Sequence, residues 1–152
     1  MSWATTLADA AATDRLGRQM SRAMPEAAVV FLRGDLGAGK TSLARALLRG
    51  LGVQGPVKSP TYALIERYPL ASGEAVHLDL YRIAEASELE FLGLQDLMPE
   101  MRLWLVEWPD HGLRALPPPD LEIILSVAGD GREIRIDARS ATGSHWLESF
   151  RD

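Results

Sequence analysis

Gly34-Asp35-Leu36-Gly37-Ala38-Gly39-Lys40-Thr41 satisfies the pattern G-x-x-x-x-G-K-[ST], and its flanks decide the fold. Before it lies Ala28 to Leu32 (AVVFL), a short continuous apolar run after Pro25, which reads as a parallel strand buried on both faces. After it, Lys40 to Leu51 repeats Leu43, Leu47, Leu48 and Leu51 on one face and stops at Gly50 and Gly52, which predicts a helix. Strand, glycine loop and helix are contiguous. Glycines let such a loop curl with its N–H groups inward, and the helix N-terminus adds partial positive charge, so the stretch suits a phosphate. Lys40 would reach the outer phosphates, and Thr41 would offer its hydroxyl to Mg²⁺. The bland alternative is a glycine-rich turn that happens to hold a lysine.

Outward from that core, residues 7–24 set Leu7, Ala10, Ala11, Leu16, Met20 and Met24 at helical spacing, stopped by Pro25. Gly52 to Pro60 reads as an exposed loop. Tyr62 to Tyr68 and Ala75 to Leu80 read as a hairpin turning near Ser72-Gly73. Ala86 to Leu97 carries acids and leucines at helical intervals, and Leu103 to Glu107 is another apolar strand. Leu121 to Ala128 and Glu133 to Ala138 flank Gly129-Asp130-Gly131 as a second hairpin, followed by a short terminal helix or tail. The expected fold is α/β, a P-loop NTPase-like three-layer domain with a mostly parallel central sheet and added antiparallel strands. One domain spans 1–152, with its core at about 7–140.

Composition narrows the chemistry. Of 152 residues, 47% are hydrophobic and 24% charged, the balance of an ordinary globular chain. Cysteine is absent, which removes disulfides, thiolate metal sites and cysteine nucleophiles, and only His77, His111 and His145 remain as imidazole ligands. No apolar run approaches the ~20 residues of a membrane span, and the first residues lack a secretory pattern, so a cytoplasmic place with no membrane contact is expected. A formal net charge of −5 disfavours an unaided grip on nucleic acid. Any RNA role is expected to need a partner.

A nucleotide triphosphatase also needs a carboxylate at the end of a neighbouring strand. Glu107 ends the run Leu103-Trp104-Leu105-Val106. Asp79 lies in His77-Leu78-Asp79-Leu80-Tyr81-Arg82, where alternation sets His77, Asp79 and Tyr81 on one face; that face would equally serve as plain solvent exposure, and His77 as the maker of a structural hydrogen bond. Lys58-Ser59-Pro60-Thr61 follows the helix by one loop, the place of a switch segment or of a polar turn stiffened by proline. Trp108, beside Glu107, would pack on a partner or line the site.

Taken together, the glycine loop, Val57-Lys58-Ser59-Pro60-Thr61-Tyr62, His77-Leu78-Asp79-Leu80-Tyr81-Arg82, Glu88-Leu89-Glu90 with Gly93, and Leu105-Val106-Glu107-Trp108-Pro109 resemble the small bacterial ATPase family TsaE, also called YjeE. The blocks stand in family order across about residues 10–140. The resemblance implies an ATPase that binds ATP with Mg²⁺ and works with the TsaB and TsaD proteins, which place a threonylcarbamoyl group on the adenosine beside the anticodon of certain tRNAs. It implies hydrolysis that is weak alone and stimulated by the partners, with tRNA met only through the complex. Carried onto this chain, the loop from Gly34, Asp35, Leu36, Gly37, Ala38 and Gly39 through Lys40, Thr41 and Ser42 holds the nucleotide. Thr41 and Glu107 form the Mg²⁺ pair, Asp79 is needed for hydrolysis, and Thr61 belongs to the switch. Thr13 and Arg132 flank the adenine. Ser42 stands where a second threonine is common, and Tyr62 where phenylalanine is frequent.

The expected catalytic set is Lys40, Asp79 and Glu107, with the choice between the two acids for orienting water left open. One rival is a small-molecule kinase of the same fold, although the dispersed arginines do not form the lid such enzymes use. Another is a nucleotide-sensing module in which binding alone switches a partner interface.

Overall fold

The AVVFL run becomes the middle of a sheet whose order explains most of the molecule. The computed structural model describes residues 1–57, 65–90 and 93–151. The switch residues Lys58 to Thr61, with Tyr62, lie outside them. Strand β1 is Ser2–Leu7, β2 Ala28–Arg33, β3 Ile65–Leu70, β4 Gly73–Asp79, β5 Met101–Glu107, β6 Leu121–Ala128 and β7 Gly131–Ala138. Among the described residues they form one seven-stranded sheet in the order β1-β7-β6-β2-β5-β4-β3. Strands β6, β2, β5 and β4 run parallel, and the antiparallel hairpins β6/β7 and β4/β3, with β1 added to β7, complete the edges. The expected mixed sheet is what the chain forms.

Alternation along the strands assigns the two cores. Val30, Leu32, Leu103, Leu105, Ile123, Leu125, Ile134 and Ile136 face one side, under helices α1 (Ala10–Arg22), α2 (Lys40–Gly50) and α5 (Ala141–Phe150). Phe31, Val76, Leu78, Trp104 and Val106 face the other, with Leu89 and Leu94 from the short helices α3 (Ser87–Glu90) and α4 (Leu94–Leu97). Trp146 of α5 is buried and donates its indole N–H to Met20 O at 2.9 Å, which ties the last helix to the first.

Three readings need correction. The first helix was expected from Leu7, but Leu7 belongs to β1 and pairs with Arg132; the helix starts after Asp9, whose carboxylate accepts from Ala12 N at 2.9 Å as an N-cap. Strand β1 shows weakly in the sequence because its outer positions are Ser2, Ala4 and Thr6, at a sheet edge where the burial pattern is only partial. The single helix read over Ala86 to Leu97 is instead two four-residue pieces, and Gly93, at φ 70, interrupts the helical path ahead of the second. The loop from Gly52 is not wholly exposed, since Val53 and Val57 pack into the core.

Close approach of α1 and α2 fixes where the glycine loop sits. A Cβ on Gly17 would lie 2.4 Å from Ala46 Cβ and 2.7 Å from the Ala46 carbonyl carbon, so only glycine lets the helices meet there. Gly17→Ala is therefore expected to destabilise the chain by about 1–3 kcal/mol through overpacking. Helix propensity alone would give the opposite sign, by about 1 kcal/mol. A thermal unfolding midpoint that rises in the variant would contradict this packing.

Candidate functional site

Three parallel strands end at one place, and the side chains at those ends make the site. Beyond β2, Gly34, Gly37 and Gly39 take φ of 139°, 81° and 107°, conformations that side-chain-bearing residues rarely adopt. Gly39 leads straight into α2, so the loop's turn and the helix N-terminus are one structure. Arg132, at the start of β7, reaches across to this loop, donating from Nε to Ala38 O at 3.1 Å and from Nη2 to Gly37 O at 3.3 Å. Ala38 is buried, while Asp35 and Leu36 are exposed at the tip.

Lys40 points back under the loop. Its ammonium donates to Gly34 O and, at 3.1 Å, to Asp35 O, and it stands 4.3 Å from the centroid of the Trp108 ring. Burial lowers the Lys40 pKa below the ordinary lysine value, with the charges of Glu107, Asp79 and Asp35 opposing that shift. Trp108 holds its ring there in a left-handed backbone conformation, φ 57°, the only non-glycine positive φ among the described residues. Its ring also lies 5.0 Å from that of Tyr81.

Both candidate acids are buried, and of the polar face read on His77, Asp79 and Tyr81 the first two turn into the protein while Tyr81 is exposed. Strand register sets Asp79 directly beside Glu107, and Glu107 beside Leu32 at the end of β2. Thr41 Oγ1 donates to Glu107 Oε2 at 3.0 Å. His77 Nε2 meets the same oxygen at 2.6 Å. His77 is fully buried, and its Nδ1 has no hydrogen-bond partner among the described residues. Asp79 Oδ1 accepts from Tyr81 N at 2.9 Å, which fixes that carboxylate at the strand end.

Two adjoining cavities complete the site. One, of about 310 Å³, is lined by Lys40, Thr41, Asp79, Glu107, Trp108 and Arg132 among others. The second, of about 420 Å³, lies between α1 and the β6/β7 turn and includes Thr13, Asp14, Ser42, Arg45, Gly131 and Arg132. Gly39, Ser42 and Arg132 belong to both. Lys40, Thr41, Asp79 and Glu107 are thus brought together. Thr13 and Arg132 meet at the second cavity although 119 positions separate them in the sequence. Thr61 lies outside the described residues. His77 was legible only as a structural histidine, Trp108 as one of two alternatives, and Arg45 carried no signal at all.

A mixed α/β sheet with a glycine loop after its central strand, and acids at the ends of two neighbouring strands, defines a phosphate-loop type of domain. Comparison with known proteins carries the assignment further. A family model described as "Threonylcarbamoyl adenosine biosynthesis protein TsaE" matches residues 7–134. The chain is 42% identical over 125 residues to the tRNA threonylcarbamoyladenosine biosynthesis protein TsaE of Haemophilus influenzae, covering 82% of this chain and 79% of that protein. It is 39% identical over 111 residues to the protein of that name from Bacillus subtilis, covering 72% and 69%. A solved structure, "Crystal structure of Bacillus subtilus YdiB", superposes with a TM-score of 0.79 at 28% identity, covering 99% of this chain and 93% of that one. This chain belongs to the TsaE family of tRNA threonylcarbamoyladenosine biosynthesis.

Proposed function

We propose that the chain is a Mg²⁺-dependent ATPase that works with the TsaB and TsaD proteins in the cytoplasm, supporting formation of the threonylcarbamoyl group on tRNA adenosine. The observation that carries this reading is the convergence of Thr41 Oγ1 on Glu107 at 3.0 Å beside Lys40 and Asp79, at the mouth of the glycine loop. Hard oxygen donors of this kind fit Mg²⁺, which is usually held by one or two carboxylates together with substrate phosphates and water. Among the described residues no three His, Cys, Asp or Glu side chains are grouped to hold a metal ion by themselves. The pair therefore fits a metal whose shell is completed by the nucleotide. When bound there, Mg²⁺ neutralises charge on the phosphates.

In this reading the loop N–H groups and Lys40 hold the phosphates. Lys40 gives up its bonds to Gly34 O and Asp35 O to do so, and the Trp108 ring keeps its ammonium at the cavity. Thr41 and Glu107 hold the metal side. Asp79, the register partner of Glu107 on β4, orients a water for in-line attack on the terminal phosphorus; the bond to the bridging oxygen breaks, and ADP and phosphate leave. Thr13 and Arg132 bound the cavity that takes the base.

Phosphate release by the purified chain with Mg²⁺, alone and with TsaB, TsaD and tRNA, tests this, with Lys40→Ala as the blank. Release that rises with the partners and disappears in the blank is the expected result. ATP bound without release under any condition would replace the ATPase with a nucleotide-sensing module.

A further inference from the structure

The formal net charge of −5 hides an uneven distribution. Helices α1 and α2 carry Arg15, Arg18, Arg22, Lys40, Arg45 and Arg49, six of the 16 basic residues, against Asp14 alone of the 21 acidic ones. Lys40 is turned inward, and the five arginines are exposed. Spacing of three and four residues sets Arg15, Arg18 and Arg22 along one side of α1, and a spacing of four aligns Arg45 and Arg49 on α2. The two rows are drawn together by the same small residues that let the helices close: Gly17 against Ala46, and Gly50 against Ser21 and Arg18. Between the helices runs a groove of about 440 Å³ lined by Asp14, Arg18, Arg45, Ala46, Arg49 and Gly50, so Arg18, Arg45 and Arg49 line it while Arg15 and Arg22 stand elsewhere on α1.

These cations lack the carboxylate partners that several others in the chain have. Arg33, Arg67, Arg135 and Arg139 pair with carboxylates. The side chains of Arg15, Arg18 and Arg22 make no hydrogen bond or ion pair among the described residues. Among the described residues Arg45 and Arg49 hydrogen-bond to the carbonyls of Val57 and Val53 and pair with no carboxylate. Guanidinium groups present fixed forks that match phosphate oxygens, and three of them against the single carboxylate of Asp14 suit a polyanion. The groove also runs into the second cavity of the site, with Asp14 and Arg45 lining both.

We propose that the α1/α2 arginine groove docks the phosphodiester backbone of RNA directly. The inference takes its choice of polyanion from the family's place in tRNA modification, and its charge argument stands apart from the ATPase reading. Contact is through phosphates, so it positions an RNA without reading its sequence.

Anisotropy of a labelled, unmodified tRNA transcript titrated with the full chain at low and moderate salt tests the proposal. Saturable binding is expected, weakened about tenfold in Arg18→Ala/Arg49→Ala, with the slope of log K against log salt shallower by about one to two. Arg135→Glu, on the open face of β7, is the control and should bind as the parent does. Absence of binding at low salt, or equal loss in the control, overturns the groove. Displacement by polyglutamate as effective as by unlabelled tRNA assigns it to an acidic protein instead. Arg18→Glu alone serves if the double variant fails to fold, judged by its thermal midpoint. Phosphate release by the variants should be unchanged in the absence of RNA; loss of RNA binding with hydrolysis intact, or the reverse in the parent chain, separates failure of one reading from failure of the other.

Discussion

Glu107→Gln is expected to leave the fold in place and to lower phosphate release on the order of 10²- to 10³-fold, the scale of losing one group that stabilises charge in the transition state. The substitution preserves volume at a buried position, so packing of the β5 end against β2 and β4 should survive. What it removes is the charge. Glu107 accepts from both Thr41 and His77, and an amide can present only one acceptor oxygen with the two donors of its NH₂ group beside it. Both donors meet Oε2, so an amide oxygen kept there still accepts from them, and the NH₂ group falls at the Oε1 position, where it has no lone pair to offer a metal. Glu107 also heads the charges that oppose the burial-driven lowering of the Lys40 pKa, so its loss leaves that ammonium less favoured at the moment it must hold phosphate. A fluorescent ATP analogue should still bind the variant, but with little gain on adding Mg²⁺. Single-turnover release within a few-fold of the parent, with the Mg²⁺ response retained, would take Glu107 out of the metal pair and leave Asp79 as the working acid.

Much of that site was legible because its signals are local. Gly34 to Thr41 is one continuous motif, and Leu103 to Glu107 is an apolar run with an acid at its end; both read directly from short windows of sequence. The side-by-side placement of Asp79 and Glu107 is different in kind, since it depends on β4 and β5 pairing in parallel in one particular register. The contacts of Arg132 with the loop depend on the turn of the β6/β7 hairpin lying beside Gly37 and Ala38. Neither has a periodicity to detect. The inward turn of His77 was hidden for a related reason: polar residues alternating on a strand look the same whether the face meets water or a buried acid. Trp108 gave no warning of its left-handed backbone, because tryptophan is not a residue that announces positive φ.

His77 supplies the second large effect. His77→Leu is expected to weaken Mg²⁺-dependent nucleotide binding and hydrolysis by about 10- to 100-fold, the usual consequence of removing a partner that orients a metal-binding carboxylate. The geometry gives the cause. Thr41 alone contacts both oxygens of Glu107, at 3.0 and 3.3 Å, and so leaves the carboxylate free to rock between them. The His77 contact at 2.6 Å selects Oε2 and leaves Oε1 with the longer Thr41 contact at 3.3 Å. Leucine fills much of the same buried volume without an N–H, so β4 should pair as before while the carboxylate loses its anchor. His77→Gln restores a donor amide at similar reach. If His77 positions Glu107, glutamine recovers most of the Mg²⁺ response, and the Mg²⁺ concentration for half-maximal nucleotide binding separates the two variants even where their thermal midpoints agree. Were leucine and glutamine to lose function equally, and in step with lost stability, His77 would be a packing residue of β4 and the orientation of Glu107 would rest on Thr41 alone.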